Sequence, residues 1–581
     1  MMSLAASTLL LAPALVPALP APQGGPEPGG VFEETGDSWL GRETSDNYGE
    51  TLALLGDLDG DGVRDFLVGS GIADASGLVN AGRVEVVSGA TRSVLFELAG
   101  SAGLESLGAA AAPAGDVDGD GREDFALGAP GAAGGGAVSV HAASGLQLRT
   151  IPAPAASGAF GAALALLDDL DGDGIPELAV GDPEADTPGL GGQTGRVSVH
   201  AGADGSLLWS AGGIAPGDRL GEVLAAVGDV DGDGLADLLA GAPGADLPGL
   251  PASGAARLLS GADGSLLWEA RGTAAFASFG SQVAGPGDVD GDGVPDLVVA
   301  APRDPLSAAG SGNGRVQVFS GADGSLLWER LGQRGEEAGR ALAVLEDLDG
   351  DGVSELAVGA DGGAHGGIVF VVSGVDGTEL VRIESPGNMS LGYGTSLLGL
   401  GDLDGDGAPE LLLSDPSALV YANGTVTTKG AVWHFAWKPA LSLSPSSISA
   451  SAGGDLQVDL DFRYQSLVVA PGFPAFRYHL LVSAAGPGPT VLEGLAVPLT
   501  EDALYAASLA GSYPGSLAET ADGPLDFQGN ATLTIPVLPG QLTPLTGRTL
   551  WLAAVAYDLA PGLGPVYLHA ASRAVGLRVV P

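Results

Sequence analysis

The sequence predicts an all-β protein: a seven-bladed β-propeller followed by a smaller antiparallel β-sandwich domain. Three observations predict it. The acidic phrase D-x-D-G-D-G-x-x-[D/E] occurs seven times, with its first Asp at 57, 116, 169, 229, 288, 347 and 402, so the steps are 59, 53, 60, 59, 59 and 55 residues. A period of that size with strand-like content marks a propeller, a solenoid or an array. Each copy sits in the same order of short alternating strands and turn residues, and no segment shows helical periodicity, which selects the propeller.

The chain of 581 residues is long enough for two or more domains. It opens with "MMSLAASTLLLAPALVPALPAPQGG", an apolar run from about Leu9 to Leu19 followed by small residues, Pro and Gly. Residues 1–21 therefore read as a secretory signal with cleavage after Ala18 or Ala21, although the first residues lack Lys and Arg. This predicts a secreted, extracellular or cell-surface protein. No other stretch offers about 18 uninterrupted apolar residues, so no membrane span is expected. Composition narrows the partners. Asp+Glu is 71 against Lys+Arg 23, for a net charge of -48, and no basic patch stands out. That balance argues against nucleic acid and anionic membranes. The chain has no cysteine, hence no disulfide framework and no thiolate chemistry. Glycine is 98 residues and aromatics are 5%, which suits tight turns and short strands, while 45% hydrophobic content in regular alternation argues against disorder.

The propeller is expected over 30–438, four strands to a unit. "LALLG" (52–56) leads into the first acidic loop and "DFLVG" (65–69) leads out. A variable Gly-rich loop follows, then an alternating run such as "GRVEVVSG" (82–89) or "GRVSVHAG" (195–202). Asp-Gly then opens strand four in "ADGSLLWS" (203–210), "ADGSLLWE" (262–269) and "ADGSLLWE" (322–329), the pattern of a type I′ hairpin with positive φ at both central residues. Trp209, Trp268 and Trp328 recur at one phase of strand four and read as packing between blades. A glycine stands eight residues before each first Asp (Gly49, Gly108, Gly161, Gly221, Gly280, Gly339, Gly394), after a large residue everywhere except at Ala338. Twelve residues after the first Asp comes a Gly/Pro turn, Gly128-Ala129-Pro130 and Gly241-Ala242-Pro243 being clear cases.

The seven loops hold 28 of the 71 acidic residues, and a charge cluster kept in register seven times needs a common counter-charge. Calcium takes six to eight oxygens at about 2.3–2.6 Å, from carboxylates, carbonyls and water. Positions one, three and five can point inward together only if the backbone turns tightly, which glycine at position six permits. Position seven adds a carbonyl and position nine closes the site. The candidate calcium ligands are therefore Asp57, Asp59, Asp61, Val63 and Asp65; Asp116, Asp118, Asp120, Arg122 and Asp124; Asp169, Asp171, Asp173, Ile175 and Glu177. They continue with Asp229, Asp231, Asp233, Leu235 and Asp237; Asp288, Asp290, Asp292, Val294 and Asp296; Asp347, Asp349, Asp351, Val353 and Glu355; Asp402, Asp404, Asp406, Ala408 and Glu410. Up to seven Ca2+ ions are expected, one per blade. An EF-hand needs a bidentate Glu at position twelve, and here that position is always apolar (Val68, Leu127, Val180, Ala240, Val299, Val358, Leu413). Magnesium fits less well because it prefers fewer protein oxygens and keeps its waters. Position two is always Leu or Val, an anchor into the blade.

Phe-Gly, the acidic loop and Gly-Ala-Pro, in that order and seven times in phase, resemble FG-GAP repeats, the blades of integrin α-subunit propellers and related secreted proteins. The resemblance implies calcium in the acidic loops. It also implies a protein or glycan ligand on the propeller face away from those loops. No catalytic constellation accompanies it. His141 and His200 occupy strand-three positions, and there is no metal-spaced His pair, G-x-S-x-G elbow or phosphate loop. An adhesion or ligand-binding module, not an enzyme, is the reading. Its rivals are a carbohydrate-active enzyme, such as a polysaccharide lyase or hydrolase-like propeller, and a structural component of an envelope or matrix.

After Glu410 the acidic phrase stops, and "LLLSD" (411–415) and "GAVWHFAW" (430–437) supply later strands of the last blade. No fourth strand follows, so residues 31–34 are expected to pair beside 431–435 and close the ring. Alternating runs in 440–581, such as "NATLTIPVL" (530–538), separated by Gly/Pro turns, predict the β-sandwich.

Overall fold

The computed structural model describes most of residues 30–439 and, beyond them, only separate strands between Leu441 and Val580. It holds seven four-stranded antiparallel sheets arranged as a ring. Blade one is Thr51–Leu54, Phe66–Ser70, Arg83–Val87 and Val94–Ala99. Blade two is Ala110–Gly115, Asp124–Ala129, Ala137–His141 and Gln147–Pro152, and blade three is Ala163–Leu166, Leu178–Asp182, Arg196–His200 and Leu207–Gly212. Blade four is Leu224–Gly228, Asp237–Ala242, Ala255–Leu259 and Leu266–Arg271, and blade five is Gln282–Gly287, Asp296–Ala301, Arg315–Phe319 and Leu326–Leu331. Blade six is Ala341–Val344, Leu356–Ala360, Ile368–Val372 and Glu379–Glu384. Each blade's first strand touches the first strands of both neighbours, and the cycle closes from Ser396–Gly401 in blade seven back to Thr51–Leu54.

Burial follows position in the blade. Strand two is buried along its whole length in every blade, because its two faces pack against the flanking blades. Its residues are accordingly apolar on both sides, as Leu238, Leu239 and Ala240 show. Each such Leu or Val contributes about 1.5–3 kcal/mol on burial. Strand four, at the rim, alternates instead, with Leu207 exposed and Trp209 buried. Trp209 donates its Nε1–H to the carbonyl of Gly261 (2.8 Å) and Trp328 to that of Gly374 (2.7 Å), each in the next blade. These tryptophans thus do join blades.

The Asp-Gly turns differ from the type I′ expectation. Only the glycine takes positive φ (Gly205 78°, Gly264 74°, Gly324 73°). The connection is a longer loop, closed by the Gly205 N–H on the Ala201 carbonyl (2.8 Å), with a bulge in the pairing between Val199 and His200. Asp204 stabilises it locally, its Oδ1 accepting the Ser206 N–H (2.7 Å).

The glycines that recur in phase carry the joints between blades. The Gly161 N–H donates to the Gly181 carbonyl within blade three (3.0 Å). A methyl group on Gly181 would in turn lie 2.1 Å from the Gly221 carbonyl, which leads into blade four. The same approach recurs at Gly128 against Gly161 (2.0 Å) and at Gly241 against Gly280 (2.0 Å).

Blade seven consists of Ser396–Gly401, Glu410–Asp415, Ala431–Pro439 and the N-terminal strand Gly30–Leu40. That strand pairs antiparallel with Ala431–Pro439, from Gly30 opposite Pro439 to Leu40 opposite Ala431. The pairing reaches well past 31–34, and Val31–Glu34 face Lys438–Phe435. Phe32 is buried and meets Trp437 edge-on at 5.3 Å, in a cluster with Leu345, Leu411, Leu413 and Phe435. The Thr35 hydroxyl hydrogen-bonds His434 Nδ1 (2.8 Å). Residues 1–29 lie outside the described residues, as does most of 440–581. There, Leu441–Ser444, Gly454–Asp461 and Asn530–Val537 pair in one sheet, and Arg477–Ser483, Thr549–Asp558 and Val575–Val580 lie in another.

Phe32→Ala removes the aromatic anchor of the closing strand and should cost about 3–5 kcal/mol, the usual loss for a buried Phe. Chemical denaturation should register it as an earlier midpoint. Removing residues 1–36 should do more, exposing the Ala431–Pro439 edge. Size-exclusion chromatography should then show aggregation, and a monomer that melts like the longer chain would contradict this closure.

Candidate functional site

Every acidic loop leaves the end of a first strand and returns into a second strand, so all seven share one face of the ring with the strand three–four turns. In loop one, Asp57 Oδ1 accepts the N–H groups of Gly60 (2.7 Å) and Asp61 (3.0 Å), while Oδ2 accepts that of Gly62 (2.7 Å). Asp59 Oδ1 accepts the Asp61 N–H (3.1 Å), and Asp61 Oδ1 that of Val63 (2.9 Å). Loops two to five repeat this set on Asp116, Asp169, Asp229 and Asp288. In loop six Asp347 holds Gly350 and Gly352 in the same way. The glycine at position six has φ between 88° and 93° in loops one to six, with nothing within 4 Å of an added methyl. Its requirement is conformational, not spatial.

Position nine links the loop to the blade. Asp65 Oδ2 accepts the N–H of Leu58 (2.8 Å), the buried anchor at position two, and Oδ1 accepts that of Gly89 (3.0 Å), from the strand three–four turn. Asp124, Asp237 and Asp296 make the same two links. Where position nine is Glu, the geometry changes. Oε2 of Glu177, Glu355 and Glu410 still takes the N–H of Leu170, Leu348 and Leu403. Oε1 of Glu177 and of Glu355 is buried without any hydrogen-bond partner.

Carboxylate oxygens converge in these loops. Within 4.8 Å of one another lie those of Asp169, Asp171, Asp173 and Glu177, and those of Asp347, Asp349, Asp351 and Glu355. So do those of Asp57, Asp59 and Asp61, of Asp116, Asp118 and Asp124, and of Asp229, Asp231 and Asp237. Asp65, Asp120 and Asp233 stand in the same loops but outside those groups. Of loop seven, Asp402, Asp404 and Glu410 are described, whereas Asp406 and Ala408 lie outside the described residues. Among position-seven residues, Arg122 sends its guanidinium to the Leu58 carbonyl of loop one (2.6 Å).

The electrostatics match this crowding. Burial pushes the Glu177 carboxyl up to about 7 and that of Glu355 up to about 9, with the neighbouring aspartates adding to both. Burial likewise raises Asp65, Asp124, Asp237 and Asp296, against the hydrogen bonds they accept. The histidines behave as strand residues: His141 and His200 are buried, with Nε2 bonded to Ser139 (2.9 Å) and Ser198 (3.1 Å).

The opposite face is made by the strand two–three loops and the segments leading into each Phe-Gly. It carries a signal that sequence reading missed. Leu104 and Phe276, each four residues before its Phe-Gly-type glycine, adopt φ of 64° and 62°. Each is nevertheless 63% exposed. Gly217 and Gly335 fill the equivalent position elsewhere with φ of 82° and 79°. Comparing those phases would have revealed it, since a bulky residue stands where glycine belongs. Val79, Leu190 and Ile214 are further exposed apolar residues of these loops.

The fold and these loops together define a seven-bladed β-propeller with an acidic loop in every blade. The FG-GAP repeat family matches at 107–141, 160–200, 221–259, 279–319 and 338–372, which are units of blades two to six. Blades one and seven keep the acidic loop but have Gly69-Ser70-Gly71 and Ser414-Asp415-Pro416 at the Gly-Ala-Pro position, which is also weak in blade six (Gly359-Ala360-Asp361). The propeller resembles that of integrin α subunits. Integrin alpha-4 of Xenopus laevis is 32% identical over 183 residues, 29% of this chain and 17% of that protein. Integrin alpha-V of Gallus gallus is 33% identical over 201 residues, 32% of this chain and 19% of that protein. Integrin alpha-5 of Xenopus laevis is 30% identical over 241 residues, 38% of this chain and 22% of that protein. The chain thus spans about a fifth of the length of the curated relatives it matches.

Because the folded state raises Glu177 and Glu355 above the ordinary 4.5, it binds more protons than the unfolded chain between that value and about 7 and 9. Stability of the metal-free protein should therefore fall as pH rises through that window. Melts of metal-stripped protein at pH 5 and pH 8.5 should show it, and saturating calcium should flatten the dependence.

Proposed function

We propose that this chain is a calcium-stabilised FG-GAP β-propeller acting outside the cell as an adhesion or ligand-binding module, without enzymatic activity of its own. One observation carries the calcium: the Oε1 atoms of Glu177 and Glu355 are buried and unpartnered, each beside three aspartates. A buried carboxylate oxygen with no donor is costly, and a divalent ion supplies what the protein leaves out. The carboxylates at positions one, three, five and nine would hold it, with the carbonyls of Val63, Arg122, Ile175, Leu235, Val294, Val353 and Ala408. The donor set is all oxygen, which suits calcium. The ion offsets two of four negative charges and ties the end of strand one to strand two. The ring thereby becomes a rigid platform, and its other face meets the partner, a protein or a glycan. Exposed Leu104 and Phe276 support that choice of face, since each sets a large apolar side chain, open to solvent, on a positive-φ turn position that Gly217 and Gly335 fill elsewhere. A signal at 1–21, which places the chain outside the cell, and a β-sandwich over 440–581, serving as spacer or second adhesive module, complete the reading.

Sites of this extracellular type have Kd of about 10⁻⁴–10⁻³ M. Each site that binds only the folded state adds about 2.7 kcal/mol at one hundred times Kd. Melting temperature should rise clearly from chelator to millimolar calcium. Identical melts together with no calcium uptake by calorimetry would end the calcium reading. Asp231→Ala should remove one ion and leave the others, as counted by native mass spectrometry.

Leu104→Gly with Phe276→Gly should separate binding from stability. Glycine relieves the positive φ, so stability should hold or rise by about 0.5–1 kcal/mol. Binding to whichever immobilised extracellular protein or polysaccharide the parent captures should weaken. The same screen scores turnover, and release of sugar products would favour the carbohydrate-active rival.

A further inference from the structure

The outermost strand of a propeller blade leaves one row of backbone N–H and C=O groups unpaired. Such an edge can pair with another chain unless a charge, a proline or a bulge guards it. Six blades carry a guard on that strand: Glu97 in blade one, Pro152 in blade two, Glu269 in blade four, Glu329 in blade five, Glu384 in blade six and Glu34 in the closing strand of blade seven. Blade three has none. Its edge strand, Leu207–Gly212, reads LLWSAG, and residues 205–217 contain no charged side chain. The bulge where this strand begins recurs in blades one to six, so it does not set blade three apart. The strand pairs on one side only, with Arg196–His200. Leu207, Leu208 and Ser210 are exposed along it, and Ile214 is exposed just beyond its end.

We propose that a second copy of this chain docks here, its own Leu207–Gly212 pairing antiparallel with the first about a two-fold axis. Charge selects that occupant. At a net charge of -48 two copies repel over most of their surface, and close approach is least opposed along the one edge strand that carries no charge. A two-fold pairing is self-complementary, so it closes as a dimer and leaves no edge free to propagate. It sets Leu207 and Leu208 of each copy beside the Ile214 end of the other, covering apolar side chains that a single ring leaves in water. The paired strands run in opposite directions, so the two rings are inverted relative to each other and their non-acidic faces point opposite ways. A dimer that meets its partners on those faces, which rests on the reading above, joins two separate surfaces. The pairing itself depends neither on that reading nor on calcium.

Sedimentation velocity of the full chain over a dilution series tests it. The parent should show a dimer that gives way to monomer on dilution. Ser210→Lys puts a charge in the middle of the edge and brings two like charges together across the two-fold axis. It should weaken the dimer about tenfold or more and melt like the parent, since Ser210 is exposed. Leu208→Lys should act in the same way. Leu267→Lys, at the phase of Leu208 but on the guarded edge of blade four, should leave the dimer as it is. A parent that is monomeric at every concentration would overturn the proposal. So would a dimer that survives both Ser210→Lys and Leu208→Lys, or one that Leu267→Lys weakens equally. A monomeric parent whose capture of an extracellular protein is lost in Ser210→Lys would give the edge to a foreign strand instead, and would also overturn it.

Discussion

The distance between adjacent blades governs this structure. Neighbouring backbones approach until the α-carbon of Gly128, Gly181 or Gly241 lies against a carbonyl of the next Phe-Gly segment, closer than any methyl group allows. Close packing of this kind makes strand two apolar on both faces, since it never meets water. It also explains the turn glycines that receive Trp209, Trp268 and Trp328. The two halves of the repeat signature, eight residues before and twelve after the first Asp, are the two partners of one backbone hydrogen bond, as between Gly161 and Gly181.

The acidic loops extend that constraint to one face. The aspartate at position one accepts three of the loop's own N–H groups, as Asp57 does, and this shapes the turn. Position nine, anchored through Leu58 and its equivalents, couples the loop to the buried strand. A carboxylate buried there is unfavourable as an anion, so the fold carries electrostatic strain distributed around the ring. Much of the net charge of -48 is concentrated where one small dication per loop can offset it.

Much of this could be read from the residues because the informative units are short and contiguous. An acidic loop is nine neighbouring residues, and its glycine at position six reports a backbone angle directly. Phase carried the rest: the tryptophans of strand four recur at one position and do bridge blades. What escaped depends on residues brought together only by the ring. Arg92, Asp37 and Glu410 lie far apart in the chain and give no local sign of meeting. The Asp-Gly turns misled because that dipeptide fits two hairpin types, and the bulge after Val199 lengthens the loop without changing composition. The positive φ of Leu104 shows only against the glycines at the same phase of other blades, Gly217 and Gly335, since nothing about leucine alone announces it.

Closure by Gly30–Leu40 has a consequence for how such a unit can be inherited. Gly30 sits opposite Pro439, so the polypeptide enters and leaves the propeller as neighbours on adjacent strands. In an antiparallel pair those α-carbons are about 4.5–5.5 Å apart. A ring of this design can therefore be spliced between two segments of a host chain, or cut out, with almost no change in the gap it bridges. Circular permutation at any loop of the non-acidic face would preserve every blade. The propeller is a cassette with a single doorway, and evolution or an engineer can place it in a longer chain without redesigning what lies on either side.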